Sequence, residues 1–226
     1  MQVTSSLTYS KTRRMATLAG LSAIAYVLWV VGRVPVVAFL RYDPKDVVIV
    51  FAGFVFGPMA VFAMSLVVSF AQMVTLSETG FIGFVMNVIS TCAFACTAAY
   101  IYKKRQTLSG AVIGLACGVL LSTATMLLWN YIITPFHLGV PRPVVAGMLL
   151  PVFLPFNLIK GGLNATLALL LYKPLIRALR ASGMIPQRDE LAQPTDARKI
   201  TVGVMLAAGL VLVSLVLTIL VLQGII

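Results

Sequence analysis

The sequence predicts an all-α integral membrane protein, a bundle of six helices followed by one additional C-terminal transmembrane helix. Three observations carry this. Of the 226 residues, 60% are hydrophobic and only 10% are charged, whereas soluble domains carry roughly 25% charged residues. The apolar runs are long and of helix length, unlike the alternating segments of about 10 residues that build a membrane barrel. Finally, the basic residues behind the net charge of +11 stand in short clusters beside the apolar runs, as the positive-inside rule describes. The expected surroundings are therefore a lipid bilayer, and nucleic acid is not an expected partner.

Taken in order, residues 1–14 form a polar cytoplasmic segment ending in Lys11, Arg13 and Arg14, and Met15 to Val31 make the first span. A secretory leader would begin similarly, but this run continues without a break and fits a helix that stays. Gly32-Arg33-Val34-Pro35 ends it, and residues 32–45 form an outer loop closed by the turn signal Arg41-Tyr42-Asp43-Pro44. From Asp46 to Thr75 the chain is apolar for 30 residues, too long for one comfortable span and too short for two. Gly57-Pro58 divides it into a short helix at 46–56 and a second at 59–75, with the turn on the cytoplasmic side.

The fourth helix covers Phe81 to Tyr102 and stops at Lys103-Lys104-Arg105; the fifth covers Leu108 to Ile133, before a Pro-rich loop from Pro135 to Pro143. The sixth runs from about Met148 to Leu171, so the bundle occupies 15–180. Residues 181–199 read as a cytoplasmic linker, and 200–226 hold the additional helix, Ile200 to Leu222. With the N-terminus inside, twelve basic residues face the cytoplasm, four (Arg33, Arg41, Lys45 and Arg142) face outward, and Lys160 lies in the membrane. This asymmetry orients the chain.

Lys160 also points to the site. A lysine inside a span costs about 2.5–3.5 kcal/mol on insertion scales, so it is read as facing a cavity, partner or ligand. Asn157, Lys160 and Asn164 follow at i, i+3 and i+7 and form one polar stripe on a helix, with Gly161 beside it. In depth, Asn157 and Lys160 fall roughly 13–18 Å from the outer end of their helix, Asn87 about 9 Å and Asn130 about 5 Å. Trp129, and Phe39 and Tyr42 on the outer loop, supply aromatic walls. Convergent amide and ammonium groups between apolar walls describe a small-molecule pocket open to the outside. The candidate substrate-binding residues are thus Asn87, Asn130, Asn157, Lys160, Trp129, Phe39 and Tyr42.

No catalytic constellation accompanies them. There is no P-loop motif, the one histidine, His137, is on an outer loop, and no carboxylate pair lies in a span. Cys92, Cys96 and Cys117 are odd in number and sit in apolar runs, which suits core packing and neither a disulfide framework nor a metal site. The spans also lack acidic residues, so a proton- or sodium-coupled carrier is not expected.

Several stretches carry a resemblance: Tyr42-Asp43-Pro44-Lys45-Asp46 with Gly53-Phe54-Val55-Phe56-Gly57-Pro58, then Asn130-Tyr131 leading to Thr134-Pro135, and Pro155-Phe156-Asn157-Leu158-Ile159-Lys160-Gly161. In this order, over residues 11–180, the chain resembles the S components of energy-coupling-factor vitamin transporters, and among them the riboflavin-specific branch. The resemblance implies a six-helix S-component-like bundle with an outward pocket roofed by the first loop, in which Asn130, Asn157 and Lys160 contact the flavin ring. It implies riboflavin as transported ligand with no cofactor, a bacterial plasma-membrane location, and as partners a membrane-embedded coupling subunit and two ATPase subunits. Ala19 and Ala23, small residues on the first helix, match positions that pack against the coupling subunit. Three rival readings follow: an S component for another vitamin or a flavin phosphate, a structural or assembly protein of the membrane, and a membrane-embedded enzyme acting on lipids, which the missing acid-base constellation disfavours. The third helix departs from many relatives in being apolar from Met64 to Phe70, the fourth in carrying Gly83-Phe84 where they have an early Glu, and the seventh helix lies outside the resemblance.

Overall fold

The computed structural model describes residues 11–37, 40–76, 79–181 and 195–222. Among them, six helical rods are long and apolar enough to cross a membrane: Lys11–Val31, Pro58–Thr75, Gly80–Arg105, Leu108–Leu138, Arg142–Tyr172 and Gly203–Val221. Helix α1 (Lys11–Val31) is followed by strands β1 (Val34–Val37) and β2 (Leu40–Tyr42). The strands pair as an antiparallel hairpin, Val34 opposite Tyr42 and Val37 opposite Leu40. Much of the loop expected over 32–45 is therefore paired strand, and Lys45 already belongs to the next helix.

Helix α2 (Lys45–Phe56) has 12 residues, or about 18 Å of rise, too short to cross a core of about 30 Å. It is apolar all round, and such a helix belongs in the centre of a bundle. Its Val47, Ile49, Val50, Phe51 and Ala52 are buried in one cluster with Ala25 of α1 and with Ala95, Ala98, Leu115 and Ala168 of later helices. Gly57, at φ 87°, breaks the chain, and Pro58 opens α3 (Pro58–Thr75) at its first turn. The division at Gly57-Pro58 is the one the sequence predicts.

The fourth rod is α4 (Gly80–Thr91), a π-helical turn at Cys92–Cys96, and α5 (Thr97–Arg105). Helix α6 (Leu108–Leu138) lies against it so closely that a Cβ on Gly114 would stand 2.8 Å from the Ala98 carbonyl oxygen, and one on Gly118 would collide with the Phe94 oxygen. The Pro-rich loop expected from Pro135 is shorter than predicted. Helix α6 continues through Pro135 to Leu138 and ends at Gly139, φ 65°, because a proline in the last turn removes only one donor and leaves the turns before it intact.

The next rod starts at once, with α7 (Arg142–Met148), a π-helical turn at Leu149–Phe153, and α8 (Leu154–Ala181). Pro151 and Pro155 fall in and beside this turn and cannot donate to the regular ladder, which accounts for its widening. Helix α9 (Thr195–Leu222) begins five residues before the predicted Ile200. The remainder of the predicted linker, 182–194, lies outside the described residues.

One end of the bundle carries Lys103, Lys104 and Arg105 at the close of α5, and Arg14 of α1 donates there to the Phe56 carbonyl at 3.1 Å. Tyr102 and Tyr172 meet through their hydroxyls at 2.6 Å beside Phe54, sealing that end. The hairpin caps the opposite end.

Candidate functional site

Beneath the hairpin, α8 presents the polar stripe expected from its spacing. Asn157, Lys160, Gly161 and Asn164 line one side of a narrow, open-mouthed space with a cavity volume of only about 10 Å³, faced by Asp46 of α2 and by Ser90, Phe94 and Ser122. Gly161 is bare because α6 passes close by: a Cβ there would meet Val119 at 2.9 Å. Phe94 sits in the π-helical turn, which rotates the rod locally and brings its ring to the wall.

The lysine is not alone. Its Nζ lies 3.5 Å from Asp43 Oδ2, and the other oxygen of Asp43 lies 3.5 Å from the Nζ of Lys45. Lys45 is 1% exposed and donates to Asn87 Oδ1 at 3.0 Å, while Thr91 donates to Asp46 Oδ1 at 2.7 Å. Two ammonium groups and two carboxylates thus form one buried cluster of zero net charge. Burial pushes the Asp43 carboxyl up, but Lys160 and then Lys45 outweigh it and hold it below the usual carboxylate range. Tyr42 next to it is pushed well up, by burial first and then by Asp43 and Asp46, so its hydroxyl stays protonated and donates to Asn164 Oδ1 at 3.0 Å. The hairpin is pinned to α8 through both contacts.

Residues 13–172 match the family described as ECF transporter, substrate-specific component. The chain belongs to that family. This S component is 28% identical over 182 residues to the riboflavin transporter RibU of Staphylococcus aureus, covering 77% of this chain and 96% of the relative. It is 27% identical over 169 residues to the riboflavin transporter FmnP of Bacillus subtilis, covering 67% and 85%. A solved structure described as the S component of a bacterial ECF transporter superposes with a TM-score of 0.64 and 30% identity, over 74% of this chain and 98% of that one. Helix α9 lies beyond the matched residues.

The fold of this S component brings some of the predicted residues together and separates others. Asn157 and Lys160 line the space, and Tyr42 reaches it through Asn164. Asn87 is one residue removed, its oxygen taken by Lys45. Asn130 is buried but turned into its own helix, donating to Met126 O at 2.8 Å and accepting from Thr134 at 2.9 Å. Trp129 is half-buried on α6 and does not line the space. Phe39 lies outside the described residues. Ala19 and Ala23 are exposed on α1, away from the site.

One expectation is corrected: Lys45, expected to close the loop at 32–45, is the buried first residue of α2, and Asp43 and Asp46 on either side of it are buried too, although neither lies in a spanning rod. The physical reason is that the hairpin folds down over the short α2, carrying the start of that helix inside. A signal was present. A buried lysine needs a counter-charge, the chain has only six acidic residues, and three of them lie at 189–196. Asp43, Asp46 and Glu78 were the remaining choices.

Proposed function

We propose that this S component binds riboflavin in the space beneath the hairpin and delivers it inward together with a membrane-embedded coupling subunit and two ATPase subunits. The observation that carries the reading is the placement of Asn157 and Lys160 on one face of α8, lining the same space as Phe94, in a chain whose relatives are riboflavin transporters. The flavin ring is planar, apolar on its faces and edged with carbonyl and imide groups. An amide that both donates and accepts, beside an ammonium that donates, suits such an edge. Asn157 spends one N–H on Phe153 O at 2.7 Å, which fixes the amide plane and leaves its other sites for a ligand.

Charge favours the vitamin over its phosphate. Lys45 and Lys160 both pair with Asp43, at 3.5 Å each, and the Asp46 carboxylate is buried beside them. A phosphate asks for cations whose charge is not already balanced. At about 10 Å³ the space is far smaller than the roughly 300–1,000 Å³ of a formed small-molecule site, so riboflavin fits only once the hairpin lifts and the pocket widens.

The basic clusters at the sealed end support a cytoplasmic N-terminus in a bacterial plasma membrane, with the hairpin outside. The test is growth of a riboflavin auxotroph on low external riboflavin, with the chain supplied beside its coupling subunits. Rescue that disappears with Lys160→Ala supports the reading. Rescue unaffected by that change, or no rescue by a chain that reaches the membrane, would refute it.

A further inference from the structure

Helix α8 has two working faces. Asn157, Lys160 and Asn164 form the first; Phe156, Ile159 and Leu163, each one residue earlier and so about 100° around the helix, form the second. The second face is covered by α9. Ile219 of α9 is buried in one cluster with Phe156, Ile159 and Leu163, and the same cluster contains Val36 and Tyr42 of the hairpin. Leu212 and Leu215 pack against it, and Leu215 comes so near that a Cβ on Gly162 would lie 3.0 Å from it. Tyr42 therefore belongs to both faces, its ring in the α9 cluster and its hydroxyl on Asn164 of the site.

We propose that α9 is a positioning helix for the binding site, with Ile219 and Leu215 holding the hairpin closed through Val36 and Tyr42. In lipid no hydrophobic force drives helices together, and what α9 contributes is close dispersion contact with side chains that must separate when the hairpin lifts. Being part of the same chain, it is present at high effective concentration. Helix α9 thereby slows both entry and release of the ligand. The family match ends at Tyr172, so this hold on the hairpin is an addition to the matched bundle.

The consequence for release rests on the riboflavin reading; the hold on the hairpin does not. Hydrogen exchange of the full, ligand-free protein in nanodiscs measures the hold directly. In Ile219→Ala and Leu215→Ala, amides of Val34, Val36, Val37 and Leu40 to Tyr42 exchange at least about threefold faster, while those of α2 and α3 keep their rates. Leu210→Ala, on the exposed side of α9, leaves the hairpin as it is. Stopped-flow measurement of riboflavin release then shows faster dissociation in the same two variants. Hairpin exchange unchanged in both variants overturns the proposal, as does acceleration spread equally over α2 and α3, which would make α9 a general stabiliser. If the unaltered protein does not bind riboflavin, the ligand reading falls and the exchange comparison still decides the role of α9.

Discussion

At the scale of single residues, Lys160 sits within the apolar bundle because Asp43 comes down from the hairpin to meet it at 3.5 Å. Each charge removed from the cluster leaves its partner buried and uncompensated, which costs more than the pair itself contributes. Asp43→Asn and Lys160→Gln are each expected to lower stability, and the double variant to recover part of the loss, with a coupling of about 0.5–3 kcal/mol in a thermal-unfolding cycle. Additive effects would show that the two side chains do not interact. The pH dependence follows from the direction of the Asp43 shift. A carboxyl whose folded pKa is depressed contributes fully above its unfolded value of about 3.9 and loses that contribution as pH falls through the lower folded value. Riboflavin affinity should accordingly stay flat between about pH 5 and pH 8, and an inflection inside that range would contradict the assignment. The stripe of Asn157, Lys160 and Asn164 was legible in the sequence because helical spacing alone fixes it. The counter-charges were not, because a carboxylate in a turn before a short helix has no periodicity to reveal which way it faces.

At the scale of elements, glycine governs how closely the rods approach. Gly114 of α6 faces the backbone of Ala98, where no side chain can yield. Gly114→Val should destabilise the protein by roughly 1–3 kcal/mol through overpacking, read as a lower melting temperature in detergent. Gly20→Ala on α1, where nothing lies within 4 Å, should be neutral or slightly stabilising. Equal effects at the two positions would remove close packing as the cause. Long helices and the break at Gly57-Pro58 were readable because apolar length and a Gly-Pro pair are local signals. The hairpin and the two π-helical turns were not. The hairpin pairs Val34–Val37 with Leu40–Tyr42 in a stretch too short to show alternation; the turn at Cys92–Cys96 has no local sequence signal, and that at Leu149–Phe153 holds and adjoins prolines that ordinarily suggest a break. Asn130 shows the same limit: its depth suggested the pocket, whereas its rotation aims it at Met126 and Thr134 of its own helix.

At the scale of the whole molecule, charge and shape agree. Basic clusters and an aromatic pair mark one end, and a polar cluster under the hairpin marks the other. Such a chain binds a ligand but has no path through the sealed end, so reconstituted alone in liposomes it should bind riboflavin without accumulating it. Accumulation without partner subunits would show that the chain transports by itself. Whether the space beneath the hairpin is the riboflavin site is decided by equilibrium titration. Riboflavin is added to the detergent-purified full chain, loss of flavin fluorescence is followed, and Asn157→Ala and Lys160→Ala are measured beside it, with folding checked by circular dichroism. Submicromolar binding to the unaltered chain is expected, weakened in each variant by at least about tenfold, the loss of roughly one charge-assisted or amide hydrogen bond. A folded protein that does not bind riboflavin, or variants that bind as tightly as the original, would contradict that site.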